Sequence, residues 1–263
     1  MTTRPAPARG VPALRSWTRA ELVLACTLLA LAAVAWLVTD ALAMPEMRTG
    51  ILTNIEPMQS GAGAGPMALA LFAVIWVVMM AAMMLPAITP FTVGLHRLMQ
   101  ARGARGRVAA LTVGYLSVWS TAGLIAILIV RGFETLATRS GGLAAGAGAV
   151  VLLVAGAYQF TPLKHWCLVR CRSPLALVML HGERAARCRR GALLAGLSHG
   201  GYCLGCCWAL MLILLAAGMM SLVWMAGLAG VIAIEKTLPR GDTFSYVLGG
   251  LLVGAGVLLL AHA

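Results

Sequence analysis

Long, uninterrupted runs of apolar residues constrain this chain more than any other feature of its sequence. Seven such runs lie at 21–43, 66–90, 108–130, 143–161, 192–217, 219–236 and 243–262. A run of about 20 apolar residues can cross a bilayer as a helix. Only 11% of the residues are charged, whereas an ordinary soluble domain carries about 25%. The sequence therefore predicts an all-α, polytopic transmembrane helix bundle of about seven spans, or six if the short, glycine-rich run at 143–161 does not cross.

We expect no soluble domain between the predicted spans. Residues 1–20 form a basic tail rich in proline and alanine, and residues 21–263 are predicted to form a single transmembrane domain. The first apolar run is too long for the core of a signal peptide, so we expect it to be retained as a span.

Positive charge is concentrated in alternate connections between the predicted spans. All of the 20 basic residues except Arg48, Arg131 and Arg139 lie before span one or in the connections that follow spans two, four and six. Because positively charged connections stay in the cytoplasm, the sequence predicts a multi-pass protein of the cytoplasmic membrane with a cytoplasmic N-terminus. The net charge of +12 is divided among short patches, so we expect no nucleic-acid binding.

The segment SHGGYCLGCCW at 198–208 places three cysteines and a histidine inside the fifth apolar run. On a regular helix, four side chains share one stripe: His199, Cys203, Cys206 and Cys207. Thiolate sulfur and imidazole nitrogen suit Cu(I) and Zn(II). The stripe rises about 12 Å, too far for all four to bind one ion unless the helix breaks at Gly200 and Gly201. Buried cysteines also occur simply as small hydrophobic residues.

Span two carries a second sulfur-rich segment at a comparable predicted depth. Its sequence MMAAMM supplies the candidate ligands Met79, Met83 and Met84, whose thioethers are soft donors suited to Cu(I). Pro86 has no N–H group, which leaves the carbonyl of Ala82 free beside them. Methionine also fills gaps in packing, and the sequence leaves open whether spans two and five are in contact.

The connection after span four contains two further cysteines. Cys167 and Cys171 share a face if this segment is helical, and the neighbouring Arg170 and Arg172 favour the thiolate form. We expect these two cysteines to form a point of metal handover at the cytoplasmic edge. The alternative is an interfacial helix whose cations meet lipid headgroups.

Acidic residues are few, and none of them points to an enzyme. Glu235 and Lys236 end span six, where an adjacent charge pair is expected to snorkel towards water or to relay protons or ions. Paired carboxylates, a catalytic triad and a glycine-rich phosphate loop are all missing from the sequence. Hydrolytic and nucleotide chemistry are therefore unsupported.

Four segments taken together resemble a family of bacterial integral membrane proteins designated DUF2182, which is described as predicted to bind metal. The segments are MMAAMMLPAITP at 79–90, GAYQFTPLKHWCLVRCRSPL at 156–175, GLSHGGYCLGCCWALM at 196–211 and EK at 235–236. The resemblance implies a location in the bacterial inner membrane and a metal-binding role. It specifies neither the ion nor a reaction.

These patterns favour a membrane protein that binds a soft transition metal and takes part in its transport or delivery. Cu(I) is the favoured ion and Zn(II) the alternative, and the expected partners are the lipid bilayer, the metal ion and a protein that donates or accepts it. Two other functions stay open. One is a membrane thiol–disulfide oxidoreductase that uses Cys203 and Cys206, and the other is a non-catalytic membrane subunit whose cysteines only pack.

Overall fold

The computed structural model describes residues 18–42, 66–100, 106–139, 141–172, 174–218, 221–238 and 240–262. The secondary structure within these ranges is helical and contains no strand. The helices are α1 (Arg19–Leu42), α2 (Pro66–Gln100), α3 (Arg107–Arg139), α4 (Gly141–Gln159), α5 (Pro162–Arg172), α6 (Pro174–Arg187), α7 (Arg189–Ala217), α8 (Leu222–Thr237) and α9 (Gly241–His262). The all-α prediction is confirmed for this part of the chain, and most of the basic tail at 1–20 lies outside the described residues.

The structure gives five or six candidate spans, against the seven, or alternatively six, that the sequence predicts. In the described residues, five helices are long and apolar enough to cross a membrane, namely α1, α2, α3, α7 and α9. Helices α4 and α5 add a sixth span if the pair counts as one, although their axes differ by 66°. The prediction of about seven spans is not confirmed, because α8 has 16 residues where about 20 are needed.

Helix α7 is the most buried of the spans, and it packs closely along α3. Two glycines permit this approach. A Cβ added to Gly196 would stand 2.0 Å from the carbonyl oxygen of Leu111, and one added to Gly114 would stand 2.3 Å from that of Leu193. In a bilayer the hydrophobic effect does not drive helices together, so close van der Waals contact between small residues takes its place.

Helix α7 runs without interruption from Arg189 to Ala217, through Gly200 and Gly201. A break at these glycines, which would have let the whole cysteine–histidine stripe bind one ion, does not occur. The regular rise of 1.5 Å per residue therefore keeps His199 and Cys207 about 12 Å apart along the helix axis.

The connection predicted between spans four and five is largely helical. The chain turns at Phe160 and Thr161, and Pro162 begins α5 because its fixed φ suits the first position of a helix. Helices α5 and α6 both pack against α7. His181 Nε2 and Ser198 Oγ, 3.0 Å apart, join α6 to α7. Burial lowers the pKa of His181, and Arg184 adds to the shift, so the ring is neutral at pH 7.

The close approach of α3 and α7 predicts the response to adding a single methyl group. Gly196→Ala should destabilise the protein by about 1–3 kcal/mol, because the methyl group overlaps the backbone of α3 and the helices must separate. Thermal unfolding of the detergent-purified protein measures this change. Gly201→Ala is the matched control, since Gly201 lies on the same helix with no atom within 4 Å of the added Cβ. Equal stability of the two variants would contradict the packing described here.

Candidate metal centre

Cys203 of α7 lies at the centre of a polar cluster inside the helix bundle. Its Sγ is hydrogen bonded to Tyr115 Oη of α3 at 3.0 Å, and Lys236 Nζ of α8 donates to it over 3.1 Å. Cys203 and Tyr115 are fully buried, whereas Lys236 is partly buried. An ammonium group beside a sulfur atom compensates negative charge on that sulfur.

Three further thiols surround Cys203. Cys206 Sγ and Cys207 Sγ both donate to the backbone oxygen of Cys203, at 3.1 Å and 2.9 Å. Cys171 of α5 interacts with the side chains of Cys203 and Cys206. Cys171, Cys203, Cys206 and Cys207 are called the thiol cluster below, and each is at most 8% exposed.

Helix α5 contributes its cysteines to α7 rather than to the protein surface. Cys167 and Cys171 share one face of α5, as predicted, and both are buried. A Cβ added to Gly205 of α7 would stand 2.6 Å from Cys167 Sγ. Helix α5 packs against α7, and the thiol of Cys171 interacts with that of Cys203, so Cys171 belongs to the same cluster as Cys203. The role of Cys167 and Cys171 in metal handover stays a prediction.

His199 occupies an aromatic slot one helical turn before Cys203. Its ring stacks on Phe91 of α2 with centroids 4.5 Å apart, and Tyr115 lies 5.6 Å away on a tilted plane. The ring is 1% exposed, and neither of its nitrogens has a hydrogen-bond partner. The Phe91–His199 stack places α2 and α7 in contact, which the sequence left open.

The three candidate methionines of α2 are buried, and Met83 lines a cavity. Met79 and Met84 are fully buried and Met83 is 5% exposed. Met83 lines a cavity of about 440 Å³ between α1, α2, α5 and α8, and Cys171 and Lys236 line the same cavity. Of the predicted thioether ligands, Met83 is thus the one that shares a space with the thiol cluster.

A second buried polar group lies on the other side of α8. Lys164 Nζ and Glu235 Oε1 are 2.7 Å apart, with side chains 1% and 2% exposed. Lys164 also donates to Gln159 Oε1, and Ser245 Oγ donates to Glu235 Oε1 at 2.8 Å. The group joins α4, α5, α8 and α9.

The prediction that Glu235 and Lys236 form a charge pair that snorkels towards water is wrong. Adjacent residues of a helix do not face each other, so Glu235 turns to Lys164 while Lys236 turns to Cys203. Sequence reasoning did not find Tyr115 or Lys164 as partners of these groups. The position of Lys236 within an apolar helix could have indicated that it contacts another residue inside the protein, because a charge in such a helix needs a partner there.

No group of three or more His, Cys, Asp or Glu side chains in the described part of the chain is arranged to hold a metal ion. The reason is visible at Cys206 and Cys207, whose thiols point to the carbonyl of Cys203 and not to a common centre. A metal site here would use two sulfurs from different helices, or would require these thiols to leave the carbonyl.

The buried ion pair predicts an asymmetric response to substitution. Lys164→Met should cost about 3–5 kcal/mol of stability, because it leaves the carboxylate of Glu235 buried without its cation. Thermal unfolding in detergent measures the loss. Adding Glu235→Gln to Lys164→Met removes the unpaired charge and should restore part of the stability. A double variant less stable than Lys164→Met would contradict the pairing.

Comparison with known proteins identifies the family. Residues 73–259 match the family described as PpoB2, copper chaperone, and this range contains the thiol cluster, Tyr115 and Lys236. No curated protein and no solved structure matches the chain. The match supports the metal-related part of the resemblance found in the sequence, but it does not confirm the DUF2182 designation. Because more than two thirds of its length is matched, the chain belongs to the PpoB2 family of copper chaperones.

Proposed function

We propose that the protein is a membrane-embedded copper chaperone that binds Cu(I) at the thiol cluster and passes it to an acceptor protein. The observation that carries this proposal is the contact of Lys236 Nζ of α8 with Cys203 Sγ of α7, 3.1 Å apart, at a group of buried thiols to which α5 adds Cys171. The copper ion is the cargo of the protein, and the cluster is its binding site.

The donor atoms favour Cu(I) over other ions. Thiolate sulfur is a soft ligand that selects Cu(I), and two thiolates in a linear arrangement satisfy this ion. Cys171 and Cys203 supply such a pair from two helices, and Cys206 is a third donor within reach of Cys171. Structural Zn(II) sites take four ligands in a tetrahedron, so Zn(II) is the weaker candidate.

Lys236 supports the binding of Cu(I) through its charge. A copper(I) ion held by two thiolates carries a net charge of −1. An unpaired charge inside a protein costs several kcal/mol, and the cost is high in a membrane, where polar residues pair with one another. With Nζ 3.1 Å from Cys203 Sγ, Lys236 neutralises this complex and acts as a positioning residue.

The other candidate residues receive secondary roles. His199 retains unpaired ring nitrogens one turn from Cys203, so we propose it as a flanking ligand. Met83 faces the cavity beside Cys171 and is proposed as a neutral thioether ligand. Cys167 lies one turn from Cys171 and contacts α7, and it is proposed as an additional sulfur ligand. We assign Met79 and Met84 to packing, because they are fully buried and do not line the cavity.

The cargo is tested by elemental analysis of detergent-purified protein loaded with Cu(I) under reducing conditions. Simultaneous replacement of Cys203, Cys206 and Cys207 by serine should lower the bound copper at least tenfold, because serine oxygen is a hard ligand. Cys171→Ser should weaken binding to a smaller extent. Cys26→Ser with Cys188→Ser is the matched control, since both cysteines are exposed and lie outside the cluster. Full copper occupancy in the triple variant would refute the proposal.

Two other outcomes would replace the proposed function by its alternatives. A disulfide between Cys203 and Cys206 in protein that binds no copper would favour thiol–disulfide exchange. Absence of copper from the wild type, together with unchanged folding of the triple variant, would favour a packing role for the cysteines.

The role of Lys236 has its own test. Lys236→Met should raise the dissociation constant for Cu(I) at least tenfold, because the anionic complex loses its compensating charge. Lys236→Arg keeps a positive charge near the sulfur and should bind copper more tightly than Lys236→Met. Competition with a Cu(I) chelator measures the affinities. Equal affinities in the two variants would show that the charge of Lys236 does not contribute.

A further inference from the structure

We infer that the cavity between α1, α2, α5 and α8 is the port through which copper reaches the thiol cluster, and that the cargo enters it as a small, anionic Cu(I)–thiolate complex. The inference rests on the proposed function and adds the form in which the cargo arrives. Cys171 is then the first residue of the protein to bind copper.

The depth of the lining residues defines a route. Pro86, Ala233 and Thr237 are exposed and form the rim of the cavity, whereas Met83 and Cys171 are buried and form its inner wall. Cys203, Cys206 and Cys207 do not line the cavity. Cys171 lines the cavity, and its thiol interacts with that of Cys203 on α7. A copper ion that arrives in the cavity therefore meets Cys171 before it meets α7.

The size of the cavity exceeds what a bare ion requires. Its volume is about 440 Å³, whereas one water molecule accounts for about 30 Å³ in the liquid. Pockets for small molecules are about 300–1,000 Å³. The cavity thus has room for an ion that still carries its ligands, and its largely apolar wall suits the carbon skeleton of a small thiol.

The charge of the lining selects an anion. Arg172 and Lys236 line the cavity, and no acidic residue does. Arg172 is held at 3.5 Å by Asp242, which is outside the lining, and Lys236 faces a thiol. Arg172 thus shares its charge with Asp242, whereas Lys236 has a thiol and not a carboxylate as its partner. The net positive charge of the lining repels a free copper cation and attracts a copper complex of two thiolates, whose net charge is −1.

Transfer from such a complex is a ligand exchange without a change of oxidation state. The sulfur of Cys171 forms a bond to copper, one bond between copper and a donor thiolate breaks, and the proton of Cys171 passes to the departing thiolate. A second exchange at Cys203 releases the other donor thiolate in the same way, and copper remains Cu(I). Met83 holds a neutral thioether on the same wall, where it binds copper without adding charge.

Two glycines of α8 provide a matched pair of variants for the route. Gly230 lines the cavity and Gly227, one turn away, does not. A Cβ added to either meets no atom within 4 Å. With the Cu(I) complex of two 2-mercaptoethanolate ions, whose net charge is −1, as the donor, Gly230→Phe should slow copper uptake at least tenfold by filling the cavity. Its final copper content should equal that of the wild type, because the thiol cluster is untouched. Gly227→Phe should load at the rate of the wild type, and Ala233→Phe at the rim should repeat the block.

The charge of the cargo is tested by comparing two donors at increasing salt concentration. Uptake from the anionic 2-mercaptoethanolate complex should slow as salt screens the attraction to Arg172 and Lys236. Uptake from the cationic acetonitrile complex of Cu(I) should not slow. The same salt response for both donors would overturn the anionic form of the cargo.

The port and the proposed function fail in different ways. Wild-type uptake rates in both Gly230→Phe and Ala233→Phe, with copper still lost from the triple serine variant, would overturn the port alone. Copper retained by the triple serine variant would overturn the proposed function, whatever the rates of the cavity variants.

Discussion

The arrangement of this protein depends on two neighbouring residues of opposite charge inside the bundle, Glu235, which is buried, and Lys236, which is partly buried. Each charge must find a protein partner, because an isolated charge in an apolar interior is costly. Adjacent positions on α8 point in different directions, so the partners belong to different helices. Glu235 pairs with Lys164 of α5, and Lys236 contacts Cys203 of α7. Helix α8 is thereby joined to α5 and α7, the two helices that carry the thiol cluster.

Close contact between backbones makes this arrangement possible. Gly114 and Gly196 bring α3 and α7 together, which places Tyr115 beside Cys203 and His199. Helix α9 approaches α4 in a similar way: a Cβ on Gly249 would stand 2.7 Å from Cβ of Gln159. Ser245 of α9 then reaches Glu235. The polar contacts within the bundle are short because the glycines at the helix contacts have no side chains to keep the backbones apart.

The sequence predicted the residue types of the site better than their arrangement. The cysteine stripe of α7 was found because its period matches that of a helix, and its members are buried together. The place of Cys171 was not found, because it depends on the bend between α4 and α5, and the turn at Pro162 does not reveal in which direction the chain folds back. No pattern in the sequence indicated that Tyr115 contacts Cys203. Its role depends on the close approach of α3 to α7, and periodicity within one helix carries no information about a neighbour.

The sequence by itself determined a helical membrane protein with soft sulfur and imidazole donors within apolar segments, since hydrophobic length and ligand chemistry are local properties. It did not determine the number of spans, because α8 is apolar yet too short, and α4 and α5 form a bent pair. Only the tertiary structure decided that Cys171 and Cys203 meet, that Lys236 rather than Glu235 faces them, and that a cavity leads to Cys171 and not directly to α7. These outcomes follow from contacts between helices distant in sequence, where packing and charge compensation act on the whole bundle at once.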